Sequence, residues 1–426
     1  MTSTTSAKER KQAEMHALLR KRYAAERRFQ MYGLAAIFFA VAFLAILLGS
    51  IVYKGTPAFF TTFVKLDVYF NPEKITPGDQ RASNYGAVAR DSLKAMFPDV
   101  SGRQEERELT SLLSNGASRT IADMVAQDPS LVGQTRPVWV KMSDDADVMM
   151  KGIVDRDVDE GDRLINNNQL AILDALDAED RIEVRFDWDF LTTGDSREPE
   201  QAGIWGAVVG SALTLTVTFF LSFPIGVLAA TYLQEFAPRN RFIDIIEVNI
   251  NNLAAVPSIV FGLLGLAVFL NTFGFPRSAP LVGGMVLALM TLPTIIIATR
   301  SALAAVPPSI REAALGVGAS RLQVVTDHVL PLAMPGILTG TIIGMAQALG
   351  ETAPLLMIGM VAFIVDIPSG FDSPATVLPV QIYLWADSPE RAFVAKTSAA
   401  IMVLLTFLVI MNAIAVIVRR RFERRW

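Results

Sequence analysis

Ser309-Ile-Arg311-Glu312-Ala313-Ala314-Leu-Gly-Val-Gly318-Ala319-Ser320-Arg321, followed at a fixed distance by Val329-Leu330-Pro331, is the stretch that decides the fold. It lies between the fourth and fifth of six apolar segments. Ser309 and Glu312 have the Ser-x-x-Glu spacing of a capping box, which predicts a short helix beginning there. Ala313 and Ala314 leave a shallow surface that fits a partner's groove. Gly318 is free to take φ > 0 and so to divide the element into two short helices. Glu312 has two compatible readings, capping its own helix and docking to another chain.

The apolar segments set the architecture. Of the 426 residues, 52% are hydrophobic and 19% charged, against about 25% charged in soluble domains. Met31–Tyr53 carries no charge and, at about 1.5 Å per residue, is long enough to cross a hydrocarbon core of about 30 Å. Thirty polar-rich residues precede it, so it reads as a retained first helix rather than a cleaved signal. Five further spans are expected at Gly203–Tyr232, Leu253–Leu270, Leu281–Thr299, within Leu332–Val365, and at Thr397–Val418. The expected fold is an all-α polytopic membrane protein of six transmembrane helices with an inserted, extracytoplasmic α+β domain.

Charge orients this arrangement. Residues 1–31 carry 8 Lys/Arg against 3 Asp/Glu, residues 54–202 carry 17 against 28, and Arg419–Trp426 holds five Arg and one Glu. Six spans put both termini on one side, and the basic ends assign that side to the cytoplasm of a bacterial inner membrane. Arg239, Arg241, Arg300, Arg311 and Arg321 fall on the same side, and Asp366, Asp372, Asp387 and Glu390 on the other. Arg277 is the one contrary charge. The expected parts are a basic tail at 1–30, a first span at 31–53, an extracytoplasmic domain at 54–202, a five-helix membrane domain at 203–418 with its loop at 309–331, and a basic tail at 419–426. Within 54–202, Ala87–Met96 and Glu105–Leu113 read as helices, and Pro137–Met142 and Arg181–Phe186 as strands. Asp155, Asp157 and Asp159 have the spacing that opens a calcium loop, but Glu160 replaces its glycine and Asn166 its bidentate glutamate, so a solvated acidic turn is the preferred reading.

Much chemistry is excluded. No cysteine is present, and the only histidines are His16 and His328, which removes thiol nucleophiles, disulfides and histidine or thiolate metal clusters. No lysine follows a glycine, so the chain has no P-loop. No catalytic elbow or zincin motif occurs. The chain is expected to be neither an enzyme nor a cofactor carrier, and not to bind nucleic acid.

The quoted loop resembles the signature of ABC importer permeases. His328 departs from it, standing where the pattern usually has an aliphatic residue. Asn249-Ile-Asn251-Asn252-Leu-Ala-Ala-Val-Pro257-Ser258-Ile-Val-Phe261-Gly262 resembles phosphate importer permeases, as do Thr291-Leu-Pro293 and Gly344-Met-Ala-Gln347-Ala-Leu-Gly350-Glu351-Thr352-Ala-Pro354. The resemblance covers about residues 203–418 and is closest to the A-type permease subunit, in a variant with an added N-terminal domain. It implies the type I importer fold, a heterodimer with a second permease subunit, two copies of an ATP-binding subunit and an extracytoplasmic phosphate-binding protein, all in a lipid bilayer. It implies coupling to the ATPase through Glu312, Ala313, Ala314 and Gly318. It points to Glu351, Arg300, Gln347, Ser258 and Asn252 for the substrate path or gate. Two departures bear on that path. Many relatives have Arg where Gln347 stands, and Arg near Ile297, where only Arg300 is close.

Glu351 is the single charge within the 34-residue apolar stretch 332–365. A carboxylate at bilayer depth costs at least about 2.5 kcal/mol, so it reads either as a group on the path or as a structural tie to a partner. Gly344 and Gly350 are expected to allow close helix approach, and Pro354 to loosen the helix after Glu351. Two other functions fit the residues: a permease for phosphonate, sulfate or molybdate, and a membrane-anchored sensor, against which the Glu-Ala-Ala loop and five later spans argue.

Overall fold

A computed structural model describes residues 3–76, 83–361 and 363–422, so the basic end Arg419–Trp426 lies partly outside the described residues. The chain divides into two units, Met1–Lys54 and Gly55–Trp426. The first is one helix that runs on to Gly55, Ser3–Gly55. The expected span at 31–53 is therefore continuous with the basic tail, whose Ala, Leu, Glu, Lys and Arg are good helix formers. Leu34, Phe38, Phe39, Phe43 and Ile46 are all exposed, as befits an apolar surface meant for lipid.

The second unit begins with an α+β domain. Its sheet has three strands, β1 (Phe60–Tyr69), β2 (Thr135–Lys141) and β3 (Ile182–Phe186). The order is β2-β1-β3 with both pairs antiparallel. β2 and β3 fall on the two strands read from the sequence; β1 was not among them. In β1 and just after it, Val64, Leu66, Val68 and Phe70 are 0% exposed while Asp67 and Tyr69 face out, the period of two of a half-buried strand. Helices Tyr85–Met96, Arg103–Ser111, Ala117–Gln127 and Asn167–Ala178 place Leu93, Leu109, Ile121 and Leu173 in the same core. The first two coincide with the helices expected in this region. Asp155 accepts a hydrogen bond from the Asp157 amide at 3.0 Å, a local turn in the acidic segment.

Helices Trp205–Thr231, Pro280–Ala304, Leu330–Gly350 and Ala392–Phe422 follow. Among the described residues five helices are long and apolar enough to cross a membrane, and a bent pair counted as one span brings the number to six. That pair corrects the expected straight span at Leu253–Leu270: Arg241–Ala254 and Ser258–Thr272 meet at 104°. The break falls at Pro257, which has φ −57°, no N–H, and ψ 137°, so the helical ladder stops and restarts. The span expected within Leu332–Val365 also differs. Its helix ends at Gly350, Glu351 is extended with ψ 129°, and a short helix Ala353–Met357 follows. Pro354 thus starts that short helix instead of loosening a long one. The loop expected at Asp366–Glu390 contains a helix, Leu378–Ala386.

Small residues let these helices touch. A Cβ added to Gly340 would lie 2.1 Å from Ala298 Cβ, and one on Gly336 would lie 2.7 Å from Ala302 Cβ. Gly344 continues the row, but its nearest neighbour there, Ile295, is at 3.7 Å, and Gly350 meets nothing within 4 Å. The expected close approach therefore sits one and two turns before Gly344, not at Gly350. Glycine and alanine four residues apart on facing helices are how backbones approach where lipid offers no hydrophobic drive.

Buried charges join the α+β domain to the last helix. The Asp187 carboxylate accepts from Lys141 Nζ at 2.7 Å and Thr61 Oγ1 at 3.0 Å, and pairs with Lys396 Nζ at 3.5 Å. Lys396 also donates to the Ala202 carbonyl at 3.2 Å and lies 4.4 Å from the Phe190 ring centroid. Lys141 makes a second pair, with Asp189, at 2.7 Å. Burial alone would raise the Asp187 carboxyl, yet Lys396 and Lys141 outweigh it and hold it below the usual carboxylate range.

Gly340→Val is expected to force the helix pair apart and lower the yield of folded protein, since overpacking costs about 1–3 kcal/mol. Adding Ala298→Gly to the milder Gly340→Ala should restore its melting temperature, because the two methyl groups compete for one space. Equal stability of Gly340→Ala and the double variant would mean that the contact does not exist.

Candidate functional site

The loop singled out in the sequence folds as two short helices around a sharp turn. The first is Pro308–Gly316. It starts one residue before Ser309, with Pro307 at the cap, so the expected Ser309–Glu312 capping box does not form. Pro308 occupies the first helical position, where a missing N–H is harmless and φ is already set. Ala314 is buried, whereas Glu312 and Ala313 are exposed. The helix ends as Ala319 N–H reaches Ala314 O at 3.1 Å and Gly318 N–H reaches Leu315 O at 3.0 Å. Gly318 has φ +88°, the left-handed conformation expected of it. Ser320 then caps the second helix in a true capping box: it accepts from Gln323 N–H at 3.3 Å, and Gln323 Oε1 accepts from Ser320 N–H at 2.9 Å. The chain passes through a wide π-type turn, Val324–Val329, into Leu330–Gly350.

Arg311 holds this element to the membrane helices, and the sequence reading gave it only a charge. Its guanidinium makes two bonds to the Glu235 carboxylate, at 2.7 and 3.2 Å. It also donates to Val306 O at 2.7 Å and Leu303 O at 2.9 Å. Those carbonyls close the Pro280–Ala304 helix, and Glu235 ends the helix run from Trp205 to Phe236. One planar cation thus clamps three elements at one end of the bundle. Ala314 packs beneath, with Leu303, Val306, Val324 and Val329. Above the clamp Leu315, Val317 and Leu322 stay exposed, Val317 by 85%.

The residues expected on the path do not gather into one closed site within this chain. Asn252 lies near the end of Arg241–Ala254 and Ser258 at the start of the helix after the Pro257 break. Gln347 is in the last turn of Leu330–Gly350, and Glu351 follows its end. Gln347 and Asn252 are exposed, and Ser258 and Glu351 half-buried. The Glu351 amide bonds to Ala348 O at 3.3 Å, and its carboxylate has no hydrogen-bond or ion-pair partner among the described residues. The two broken segments touch: a Cβ on Gly262 would lie 2.7 Å from Pro354 Cα, so the backbone after Pro257 and the backbone after Glu351 pack directly together. Arg300 pairs with Glu247 at 2.7 Å, so it has a counter-charge inside the chain.

If Arg311 is the clamp, Arg311→Ala should raise amide hydrogen exchange across residues 308–316 by tenfold or more while leaving the α+β domain unchanged. Arg311→Lys should give little relief, because a point charge cannot make the four bonds. Unchanged exchange in Arg311→Ala would assign the positioning to the apolar contacts alone.

Comparison with known proteins matches the two parts of the chain to separate families. Residues 16–160 match a domain of unknown function (DUF3333), and residues 222–424 match the binding-protein-dependent transport system inner membrane component. The phosphate transport system permease protein PstA 1 of Mycobacterium tuberculosis (strain CDC 1551 / Oshkosh) is 31% identical over 238 residues, 56% of this chain and 77% of that protein. PstA of Mycobacterium leprae (strain TN) is 30% identical over 57% of this chain and 79% of its own length. PstA of Haemophilus influenzae (strain ATCC 51907 / DSM 11121 / KW20 / Rd) is 33% identical over 47% and 70%. With its bundle of membrane helices, its broken third segment and its Gly318 turn, the chain belongs to the PstA family of phosphate transport system permease proteins, in a form that carries an added N-terminal α+β domain.

Proposed function

We propose that this chain is one permease subunit of an ATP-driven importer for inorganic phosphate. It forms half of the translocation path and takes its energy from ATP hydrolysed by a separate chain. Family membership, on relatives named for phosphate transport, is the observation that carries the substrate. Both termini and the loop around Gly318 face the cytoplasm, and the α+β domain faces out. A second permease subunit covers the exposed face that holds Asn252, Gln347 and Glu351. Two ATP-binding subunits and an extracytoplasmic binding protein complete the assembly.

The loop supports a coupling role by its build. Its underside is fixed by Arg311, and its upper side presents Leu315, Val317 and Leu322 with Glu312 at the rim. A groove in the ATPase that receives this surface moves a rigid element, and the clamp passes that motion to the two membrane helices that Arg311 reaches, Trp205–Thr231 through Glu235 and Pro280–Ala304 through Leu303. Gly318→Pro removes the turn, since proline is confined to φ near −65°. It is expected to abolish phosphate uptake while insertion is unaffected, and to leave the partner's ATPase unresponsive to loaded binding protein. Normal stimulation would reduce the loop to a connector.

Glu351 poses the harder question, because a carboxylate repels an oxyanion by about 4 kcal/mol at 4 Å and an effective dielectric near 20. Hydrogen phosphate, unlike sulfate at neutral pH, carries a proton to donate to that carboxylate, and charge-assisted bonds are about twice as strong as neutral ones. Glu351 at a helix break, with a free carboxylate, is suited to accept that proton. Arg300 is engaged by Glu247, so the offsetting positive charge comes from the partner subunit. Glu351→Gln should keep the complex assembled, lower radiolabelled phosphate uptake several-fold, and weaken discrimination against sulfate. Cells lacking the chain should show no ATP-dependent uptake through this system. Full, selective transport by the Gln variant would remove Glu351 from the mechanism, and loss of assembly would make it a structural tie.

A further inference from the structure

The sheet of the α+β domain is covered at one end and bare at the other. On the face that carries Val64, Leu66 and Val68, all 0% exposed, the helix Asp144–Met150 reaches the backbone of Thr62 and Phe60 through Asp147 and Lys151 but leaves the side chains beyond them uncovered. There the register pairs Phe60 with Phe186 and Thr62 with Val184. Phe60 is 39% exposed, Val184 46%, Phe186 38% and the following Trp188 68%. Their rings form one patch: Phe60 to Phe186 at 5.8 Å and Phe186 to Trp188 at 4.8 Å.

The charges nearest this patch are paired: Lys151 bonds Asp147 and the carbonyls of Phe60 and Pro57, with both side chains nearly buried. Glu183 and Arg185 pair with each other at 2.6 Å. They alternate with Val184 and Phe186 and so project from the opposite face, where Arg185 lies 4.1 Å from the Trp139 ring centroid. Asp187, between Phe186 and Trp188, turns its carboxylate inward to Lys141.

The patch also sits at a defined level. A Cβ on Gly55 would lie 2.9 Å from Ala399 N and 2.8 Å from Met402 Sδ, so the second unit begins beside the opening turns of the last helix. Phe60 is five residues on, after the single turn Thr56–Phe59. At about 2 Å per residue such a turn climbs about 8 Å, close to the about 10 Å from Ala399 back to the helix start at Ala392. A relay of rings connects the patch to the start of that helix: Phe186 to Phe59 at 6.4 Å, Phe59 to Phe190 at 5.3 Å, Phe190 to Trp385 at 6.4 Å, and Trp385 to Phe393 in that helix's first turn at 5.8 Å. Trp205, 44% exposed, opens the helix Trp205–Thr231 and is hydrogen-bonded through its amide to Thr193 O at 3.0 Å.

We propose that Phe60, Val184, Phe186 and Trp188 seat in the headgroup region of the phospholipid bilayer, so that the α+β domain rests on the membrane surface. Trp188 favours that depth, where its ring body leaves water and its indole N–H keeps a partner, and Phe60, Val184 and Phe186 beside it remove apolar surface from water. A patch whose own side chains are uncharged meets lipid there, and the nearby Lys151 and Asp147 are already paired with each other. Contact with the bilayer then limits how far the domain tilts about its junction with the last helix.

The native chain has no cysteine, so one nitroxide label reports one position. Trp188→Cys and, separately, Val184→Cys are labelled in the assembled complex, reconstituted in vesicles of phosphatidylethanolamine and phosphatidylglycerol. Power saturation then compares access of oxygen, which concentrates in lipid, with access of a nickel chelate, which stays in water. Leu44→Cys in the first span and Val158→Cys in the acidic turn give the two limits. The expected result is an oxygen-to-nickel ratio at both test positions several-fold above that at Val158 and below that at Leu44. A ratio equal to that at Val158 overturns the proposal. So does low access to both reagents at both positions, the mark of a protein partner covering the patch.

Discussion

Asp187 holds the second unit together. It stands at the end of β3, reaches Lys141 in β2, Thr61 in β1 and Lys396 in the last membrane helix, and is almost wholly shielded from water. Removing one member of such a set leaves an uncompensated charge, whereas the complete set is satisfied by its own geometry. For that reason the α+β domain and the later membrane helices, all within Gly55–Trp426, are one body and not two domains on a tether. Lys396 illustrates the dependence: a lysine in an apolar helix is tolerated because the domain above supplies Asp187, the Ala202 carbonyl and the Phe190 ring.

With that end fixed, the helices meet at contacts only small residues allow. Gly336 and Gly340 against Ala302 and Ala298 bring Leu330–Gly350 onto Pro280–Ala304, and Gly262 against Pro354 brings the two broken segments together. At the other end Arg311 gathers three elements onto the Glu235 carboxylate and two helix-terminal carbonyls. The permease reading needs this stiffness. A docking helix transmits force only when its underside is pinned, and a path opens only when the helices lining it move as pieces. The breaks at Pro257 and after Gly350 supply boundaries between such pieces, and Ser258 and Glu351 sit at them.

Much of this was legible in the sequence, in uneven ways. The apolar segments and the Gly318 turn were readable because both are local: hydropathy over about 20 residues marks a span, and only glycine takes a left-handed turn cheaply. The helices and strands at 85–96, 103–111, 135–141 and 182–186 were readable from periodicity. β1 had an equally clear alternation from Val64 to Phe70, so its omission was a signal overlooked and not a signal absent. Ser309 misled because two starts competed, and Pro308 at the first helical position prevailed over the capping spacing. The bend at Pro257 and the end at Gly350 were hidden inside apolar runs, where hydropathy records length but not direction. Arg311, Glu235, Lys396 and Asp187 were invisible for another reason. Their partners lie up to some 200 residues away in the chain, and no one-dimensional pattern pairs them.

The central claim is that the added domain and the later membrane helices form one body through buried charge, and a double-mutant cycle on Asp187 and Lys396 tests it directly. Thermal unfolding of the purified chain would be followed for Asp187→Asn, Lys396→Met and the two combined. The account predicts that each single change lowers the melting temperature markedly and that the combined loss falls well short of their sum, because the second change removes a charge already stranded by the first. Small losses that add without coupling would contradict it.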